Sequence, residues 1–239
     1  MRLDKYLVEH NFVETRSKAL NLIRENLVLV NGSKPQKAGQ VINENDKVQV
    51  LDHKDFVSRS ARKLLYALED FGVNELDGVA LDIGASTGGF CQVLLEKGVS
   101  KVYAIDSGTN QLHPTLKSDS RIVDLSPVNA KDPLDLQEKI SVVTCDVSFI
   151  SNLKILPNIT NSTDKNTKFF VLFKPQFEGQ SSDLNSQGVV KENSYWKIYK
   201  EYKSNLKKLG FDVLNETNSK VIGKKGNKEK ILQLTYVGN

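Results

Sequence analysis

A lysine stands at the end of an apolar segment, where a strand of a buried sheet would finish. Lys174 follows the five apolar residues "FFVLF" and precedes Pro175, within the stretch "FFVLFKPQFEG" at residues 169–179. A continuous apolar run predicts a strand buried on both faces, and the proline predicts that the strand stops there. The carboxyl ends of such strands hold side chains rigidly where ligands bind. The pattern therefore predicts that Lys174 is a functional cation.

A glycine-rich turn gives the second chemical signal. The stretch "LDIGASTGGF" carries Asp82, Gly84, Gly88 and Gly89 between a predicted strand and a predicted helix. Glycines there let the backbone approach a ligand, and Asp106, at the next strand end, is expected to accept hydrogen bonds from ribose hydroxyls. The spacing is not GxGxxG and no GK[ST] follows, which disfavours NAD and ATP. An acidic residue at the turn suits a ligand with an amino group and no phosphate, such as S-adenosylmethionine.

The order of the predicted elements sets the fold class. The apolar strands "GVALDIGAS", "KVYAIDSG", "ISVVTCDVSFI" and "KFFVLFK" are separated by helical stretches such as "GGFCQVLLEKG". This alternation predicts a Rossmann-like α/β fold with a doubly wound, mainly parallel sheet. Before it, two short helices and a small sheet are predicted from "RLDKYLVEHNF", "TRSKALNLIREN", "LVLVNGSKP" and "KVQVLD". We therefore expect a small α+β domain at 1–54, a linker at 55–62 and an α/β domain at 63–239.

Composition argues against several classes of protein. Of the 239 residues, 39% are hydrophobic and 26% are charged, which is enough apolar material for a hydrophobic core. No segment has the roughly 18 uninterrupted apolar residues of a membrane span, and the N-terminus lacks a signal-peptide pattern. A cytoplasmic protein without membrane association is therefore expected. The only cysteines, Cys91 and Cys145, and three histidines argue against a disulfide framework and a metal site.

Positive charge is concentrated toward the C-terminus. From residue 197 onward the chain has ten lysines and four carboxylates, although its overall net charge is only +4. These lysines are Lys197, Lys200, Lys203, Lys207, Lys208, Lys220, Lys224, Lys225, Lys228 and Lys230. The excess fits an anionic partner such as nucleic acid, and it fits a solvated helix followed by a basic loop equally well.

Three phrases in the first fifty residues, "RLDKYL", "TRSKALNLI" and "VLVNG", occur in a characteristic order. They resemble the alpha-L RNA-binding motif of a primary ribosomal protein, pseudouridine synthases and tyrosyl-tRNA synthetases. In that motif the basic face of the helix pair binds structured RNA through its shape and its phosphates. The resemblance implies RNA contacts from Arg2, Lys5, Arg16, Lys18 and Arg24.

Seven further phrases extend along the rest of the chain. They are "FVSRSARKL", "LDIGASTGGF", "YAIDSGTNQLHP", "TCDVSFIS", "FKPQFE", "QGVVKE" and "GKKGNKEKILQL". In this order, after an alpha-L motif, they resemble the TlyA family. Members of that family are known both as haemolysins and as ribosomal RNA 2'-O-methyltransferases of the FtsJ-like class. The resemblance spans essentially the whole chain.

The resemblance implies a Lys-Asp-Lys-Glu active site, which the FtsJ-like enzymes use. Its members here are Lys63, Asp146, Lys174 and Glu229. A ribose 2'-hydroxyl is a weak nucleophile until a neighbouring group takes or polarises its proton, and a lysine held by carboxylates suits that task. The glycine-rich turn and the strand ends are expected to bind S-adenosylmethionine. The residues concerned are Asp82, Gly84, Ser86, Gly88, Gly89, Phe90, Asp106, Asp124 and Asn129.

Two places depart from the family pattern. Where members carry paired glycines after a serine and an arginine, this chain has Ser60 and Ala61. Where an apolar residue commonly follows the glutamate, Lys230 follows Glu229. Both departures are expected to affect how the neighbouring candidates, Lys63 and Glu229, are presented.

The expected function is S-adenosylmethionine-dependent 2'-O-methylation of a ribose in ribosomal RNA, with cytidine as the family's usual target. Ribosomal RNA or ribosomal subunits are the expected partners, and no obligate protein partner is evident. Two alternatives stay open at this point. One is a degenerate methyltransferase that only binds RNA or a ribosome. The other is a membrane-active haemolysin, which is disfavoured because no segment is long or amphipathic enough.

Overall fold

The computed structural model describes residues 1–51, 56–134, 136–221, 223 and 226–238. The chain divides into two units, Met1–Asp55 and Phe56–Asn239. Two lysines of the C-terminal basic segment, Lys224 and Lys225, lie outside the described residues. No described helix is both long enough and apolar enough to cross a membrane.

The first unit consists of two short helices and a two-stranded antiparallel sheet. Its elements are α1 (Leu3–Glu9), α2 (Arg16–Arg24), β1 (Val28–Val30) and β2 (Val48–Val50). The Thr15 side chain accepts a hydrogen bond from the Lys18 amide and so caps the start of α2. Asn31 and Gly32 have positive φ angles, as the tight turn between Val30 and Ser33 requires. Apolar residues from all four elements form one core.

The second unit alternates strands with helices. Its elements are α3 (Ser60–Asp70), β3 (Val79–Ile83), α4 (Gly89–Glu96), β4 (Lys101–Ile105), α5 (Pro114–Lys117), β5 (Ile122–Asp124), β6 (Val142–Cys145), β7 (Lys168–Phe173), α6 (Pro175–Glu178), α7 (Glu192–Lys208), β8 (Phe211–Asn218) and β9 (Lys230–Tyr236). Three short 3-10 turns lie at Asn152–Lys154, Leu156–Ser162 and Ser181–Asp183.

The strands of the second unit form one sheet in the order β5-β4-β3-β6-β7-β9-β8. The strands from β5 to β7 in this order pair in parallel, whereas β9 is antiparallel to both β7 and β8. This arrangement confirms the predicted Rossmann-like α/β fold with a mainly parallel sheet. All the parallel strands end at the same edge of the sheet, and β9 begins there.

Both faces of the central strands of this sheet are buried. Neighbouring strand residues alternate between two cores: Ala80 and Phe170 belong to the core that includes α3 and α4, and Leu81 and Phe169 belong to the core that includes α7. Burying one such phenylalanine side chain stabilises the fold by about 1.5–3 kcal/mol. The rigid sheet that results can hold polar side chains at its edge.

Part of the predicted linker at 55–62 belongs to the second unit. Phe56 is buried in the core of that unit, and α3 begins at Ser60. Helix α3 extends this far back because Ala61, Leu64 and Leu65 bury one continuous face.

Candidate active site

The candidate residues lie along one edge of the large sheet. The strand ends, read across the sheet, carry Asp124 at the end of β5, Asp106 after β4, Gly84 after β3, Asp146 after β6, Lys174 after β7 and Glu229 directly before β9. The edge therefore has one half with glycine and acidic residues and another half with lysines and their carboxylates.

Lys174 and Asp146 form a buried ion pair. The Lys174 ammonium lies 2.6 Å from Asp146 Oδ1 and donates a hydrogen bond to Ser148 Oγ at 3.0 Å. The two side chains are only 9% and 13% exposed. The pair forms because β6 and β7 are parallel neighbours that end at the same edge. Removing either partner would leave the other charge poorly solvated and unpaired.

Lys63 and Glu229 form a second buried ion pair. The Lys63 ammonium donates to Glu229 Oε2 at 2.7 Å, and Gln176 Nε2 donates to Oε1 at 3.3 Å. Lys63 lies in the first turn of α3. Glu229 precedes β9 by one residue, and the antiparallel pairing of β9 with β7 brings it across from Lys174. The structure thus brings all four predicted catalytic residues together, in two pairs.

Lys230 points away from this site. Its ammonium lies 3.4 Å from Glu216 Oε1 and 5.3 Å from the centre of the Tyr199 ring. Successive side chains of a strand face opposite sides of the sheet, so the residue after Glu229 faces α7. The presence of a lysine at this position is therefore compatible with an unchanged placement of Glu229.

Both ion pairs line a cleft of about 530 Å³ that also takes in the glycine-rich turn. The turn contributes Gly84, Ala85, Ser86, Thr87 and Phe90 to the lining. Gly84 has φ +81°, and a Cβ there would lie 2.8 Å from the Asp146 carbonyl oxygen. Only glycine fits at this position without moving the end of β6. The turn therefore presents open backbone to the cleft, and the volume is in the range of small-molecule sites.

The acidic residues of the other half of the edge hold loops in place. Asp106 accepts hydrogen bonds from the amides of Ser86 at 3.0 Å and Gly108 at 2.9 Å. Asp106 thus fixes the turn that lines the cleft. Asp124 accepts from a loop amide at 3.0 Å, and Asn129 is exposed in the segment that follows. Asp106, Asp124 and Asn129 do not themselves line the cleft.

Asp82 does not reach the cleft. Its carboxylate is fully buried and accepts hydrogen bonds from Thr144 Oγ1 at 2.7 Å and Cys91 Sγ at 3.0 Å. Burial raises the pKa of Asp82 to about 6, although the two hydrogen bonds act against this. The sequence placed this carboxylate at the ligand. In the structure it connects β3, β6 and α4 behind the turn, because its position in β3 directs it toward α4.

Gly88 and Gly89 lie at close packing contacts. Gly88 lies against leucine side chains around α5. A Cβ at Gly89 would lie 2.3 Å from Ser58 Oγ and 2.4 Å from Ser60 Oγ, and these two hydroxyls hydrogen-bond each other at 2.6 Å. Ala61 is fully buried in α3. Ser60 and Ala61 therefore fit at the start of α3 because Gly89 leaves space opposite them.

The cleft also contains residues that the sequence did not predict. Ser148 and Gln176 hydrogen-bond the catalytic candidates, and Phe149 and Phe177 line the cleft. Phe149 is 91% exposed at φ +67°, and its ring centre lies 5.3 Å from that of Phe177. Such a backbone conformation costs about 1–3 kcal/mol, and an exposed ring can stack on a nucleobase. The sequence offered one signal for the two phenylalanines: each follows a catalytic candidate by three residues.

In the first unit, two arginines predicted to bind RNA hold a buried carboxylate. Arg2 Nε lies 3.0 Å from Asp4 Oδ1, and the Arg16 guanidinium lies 2.8 Å from Oδ2. The hydrogen bond from Arg2 is the main reason that the pKa of Asp4 lies well below its usual range. The arginine side chains remain 49% and 54% exposed, so their outer N–H groups can still meet a phosphate.

The other basic residues of the first unit differ in their surroundings. Lys18 pairs with Glu14 at 3.0 Å, and Lys5 and Arg24 are exposed. A groove of about 390 Å³ is lined by two further lysines and by Val30, Ser33, Gln36 and Gln40. These lysines, Lys34 and Lys37, are exposed and directly follow the tight turn. Both lie outside the two helices, on whose basic face the RNA contacts were expected.

Each unit matches a family model. Residues 56–236 match the FtsJ-like methyltransferase model, and residues 1–48 match the S4 domain model. The chain is 40% identical over 234 residues to a Brachyspira hyodysenteriae protein named Hemolysin A, covering 96% of this chain and 97% of that protein.

Two further proteins extend this similarity. The Campylobacter jejuni 23S rRNA (cytidine-2'-O)-methyltransferase TlyA is 36% identical over 249 residues, covering 96% of this chain and 97% of that enzyme. A solved structure described as a putative hemolysin from Streptococcus thermophilus superposes with a TM-score of 0.75 at 32% identity, covering 100% of this chain and 89% of that one. The chain therefore belongs to the TlyA family, in which an S4 domain precedes an FtsJ-like methyltransferase domain.

Proposed function

We propose that the second unit transfers a methyl group from S-adenosylmethionine to a ribose 2'-hydroxyl of ribosomal RNA, with a cytidine as the expected nucleotide. The observation that carries the proposal is the cleft in which two buried lysine–carboxylate pairs lie beside a glycine-rich turn. The name of the Campylobacter relative, a 23S rRNA (cytidine-2'-O)-methyltransferase, supports the substrate class.

The residues around the turn fit S-adenosylmethionine. The cleft offers open backbone at Gly84 and Ser86, where polar groups of the ligand can hydrogen-bond, and an aromatic side chain at Phe90. When bound, S-adenosylmethionine supplies an electrophilic methyl group on a positively charged sulfur. We assign direct or loop-mediated cofactor contacts to Gly84, Ser86, Gly88, Gly89, Phe90, Asp106, Asp124 and Asn129. Asp82 acts indirectly, by fixing the strand and the helix on either side of the turn.

Lys174 is assigned as the group that activates the ribose. Lys174 must first release a proton from its ammonium group to solvent. Its Nζ, then an amine, accepts the proton of the 2'-hydroxyl as the oxygen attacks, and the ammonium that re-forms is stabilised by Asp146 Oδ1 at 2.6 Å. Ser148 Oγ at 3.0 Å restricts the direction in which Nζ points. Because Lys174 directly follows the buried strand residues 169–173, we expect its position to change little as RNA enters.

Lys63 and Glu229 are assigned to orientation of the ribose and charge balance. Glu229 receives hydrogen bonds on both oxygens, from Lys63 and from Gln176, and it therefore holds the Lys63 ammonium at a fixed point in the cleft. An ammonium there can donate to ribose or phosphate oxygens. Alignment of the attacking oxygen with the methyl group and the sulfur is worth several orders of magnitude in rate.

Residues other than the two lysine–carboxylate pairs are assigned to RNA binding. Phe149 and Phe177 offer ring faces on which the base of the target nucleotide can stack. In the S4 domain, the exposed sides of Arg2, Arg16 and Arg24 face solvent and can bind phosphates. Lys5, Lys18, Lys34 and Lys37 are assigned the same role. Binding through phosphates is expected to weaken as salt concentration rises.

The test is methylation of ribosomal RNA with and without this protein. Mass spectrometry should find a ribose 2'-O-methyl group in cells that contain the protein and not in a deletion strain. Subunits purified from the deletion strain should then accept that methyl group from S-adenosylmethionine when purified protein is added. If both RNA populations are identical and no methyl group is incorporated into either subunit, the proposal is wrong.

A further inference from the structure

Helix α7 carries an aromatic and basic stripe that the proposed chemistry does not use. Trp196, Lys200, Lys203 and Lys207 are spaced four, three and four residues apart within Glu192–Lys208. This spacing places them on one face of the helix. The residues that α7 buries, including Ile198, lie on a different face. We call the four residues the α7 basic face.

Most of this positive charge is not neutralised. Lys203 forms an ion pair with Glu216 at 3.0 Å. The same carboxylate also accepts a hydrogen bond from Tyr199 Oη at 2.6 Å. Lys200 and Lys207 are exposed, and within the part of the chain that the structure describes neither has an ion-pair partner. The face therefore offers two available ammonium groups to an anion.

Trp196 is presented to solvent by other aromatic rings. It is 68% exposed, although tryptophan usually buries most of its large surface. Its ring centre lies 5.4 Å from that of Tyr195 and 6.2 Å from that of Tyr199, both in edge-on geometry. These contacts support the ring at its edges and leave a large part of its surface exposed. An exposed indole beside lysines has the composition of a stacking platform for unpaired nucleotides.

The α7 basic face begins near the cleft. Gly188 and Asn227 both line the cleft, and Asn227 binds the loop at 184–190 through the Gly188 carbonyl and the Val190 amide. Helix α7 starts directly after this loop. Since a helix rises about 1.5 Å per residue, Trp196 lies about 6 Å along the axis from the first helical residue.

We propose that the α7 basic face binds an unpaired segment of the RNA substrate, with a base stacked on Trp196 and phosphates held by Lys200 and Lys207. This inference rests on the proposed function, since RNA is the substrate there. RNA is favoured over an acidic protein because the face combines a stacking surface with point charges, as single-stranded nucleic acid requires. The methyltransferase domain would then contact the RNA substrate in addition to the S4 domain.

Fluorescence of the full-length protein tests the contact directly. Trp196 is the only tryptophan of the chain, so tryptophan emission reports this face alone. A short single-stranded RNA of mixed sequence should quench the emission, and a duplex of the same sequence should quench it much less because its bases are already stacked. The quench should persist in Lys174→Met, which removes the proposed catalytic amine. Equal responses to single strand and duplex, or no response, would overturn the proposal.

Kinetics with ribosomal subunits from a deletion strain form the second test. Trp196→Ala and the double variant Lys200→Ala/Lys207→Ala should each raise KM for the subunit roughly tenfold with little change in kcat, and Trp196→Phe should restore most of the loss. The matched control is Lys165→Ala, which alters an exposed lysine just before β7 and outside the α7 basic face. It should leave KM unchanged. Unchanged KM in active variants overturns this inference only. An inactive wild-type protein contradicts the proposed function instead.

Discussion

The cleft of the methyltransferase domain and the helix pair of the S4 domain both bury carboxylates, but the opposing cations differ. In the cleft, Asp146 and Glu229 face Lys174 and Lys63, whose side chains are only 9% and 12% exposed. In the S4 domain, Asp4 faces two arginines that are about half exposed. One arrangement removes both charges from water, and the other removes only the carboxylate.

This difference indicates which ion pairs take part in the reaction and which stabilise the fold. A half-exposed arginine keeps part of its hydration, so its pairing with Asp4 can stabilise the fold. A buried lysine loses most of its hydration, and the resulting pair contributes little to stability. Lysine can also give up a proton, whereas arginine stays protonated in proteins. We therefore expect changes at the lysine pairs to lower turnover, together with some stability because the partner carboxylate is left unpaired, and changes at Asp4 to lower stability alone.

The largest effect is expected from Lys174. Lys174→Met should lower kcat for methyl transfer about 10²- to 10⁴-fold, because the 2'-hydroxyl loses its proton acceptor. Binding of S-adenosylmethionine, measured by calorimetry, should persist. Lys174→Arg should be nearly as inactive although the positive charge remains, because a guanidinium cannot accept the proton.

The control for this series is Lys165→Met, which alters an exposed lysine near the start of β7. It should turn over at the wild-type rate. Near-normal kcat in Lys174→Arg would show that charge alone is needed, and the role of Lys174 as a proton acceptor would be wrong.

The next effect concerns the S4 domain. Asp4→Asn should destabilise residues 1–51 by about 2 kcal/mol, because two guanidinium groups lose a buried charged acceptor. Hydrogen exchange of the α1 and α2 amides in the full chain should measure this change, while amides of the large sheet and kcat stay constant. The pKa of Asp4 is lowered by folding, so its contribution to stability is present above pH 4 and is lost as the carboxylate is protonated. An equally stable Asn variant would contradict the structural role of the cluster.

The sequence predicted most of the edge of the large sheet. Apolar runs such as the one before Lys174 define buried strands, and parallel strands must end at one edge, so Asp106 and Lys174 could be assigned to it. Asp146 was assigned from the resemblance to the FtsJ-like enzymes. The N-terminal helices could be predicted because the spacing of their apolar residues is a local feature. These inferences depend on short-range patterns.

The errors and omissions depend on long-range contacts. Asp82 was placed at the ligand because the alternation along β3 cannot tell which face meets α4. The Arg2 and Arg16 pairing with Asp4 was missed because charge counting does not show which carboxylate is buried. Exposure of Phe149 depends on a positive φ angle that few phenylalanines adopt.

A carboxylate without a cation extends the comparison. Glu178, at the end of α6, accepts hydrogen bonds from Ser151 Oγ at 2.5 Å and the Asn152 amide at 3.1 Å. No lysine or arginine forms an ion pair with it among residues 1–51, 56–134, 136–221, 223 and 226–238. Burial raises the pKa of Glu178 to about 7, although the hydrogen bonds from Ser151 and Asn152 and, more weakly, the charge of Lys154 act in the opposite direction.

Glu178→Gln should remove the free-energy cost of ionising a buried carboxyl group. Because the folded pKa lies above the ordinary value, wild-type stability falls as pH rises from about 4.5 to about 7 and then levels off. The variant should therefore be more stable than wild type at pH 8 by up to about 3 kcal/mol, and the difference should shrink toward zero near pH 4. Urea unfolding of both proteins across this range measures it. A difference independent of pH would mean that Glu178 does not titrate as argued.

The smallest effect is expected at Lys230, next to the candidate catalytic Glu229. Lys230→Met should change the free energy of unfolding by less than about 1 kcal/mol, because Lys203 still pairs with Glu216 and a buried lysine is often replaceable by an apolar side chain. It should leave kcat unchanged, since strand alternation directs Lys230 toward Tyr199 and away from the cleft. Glu229→Gln should lower kcat in the same methyl-transfer assay. Equal losses of kcat from the two neighbours would show that the two faces of β9 are not functionally separate.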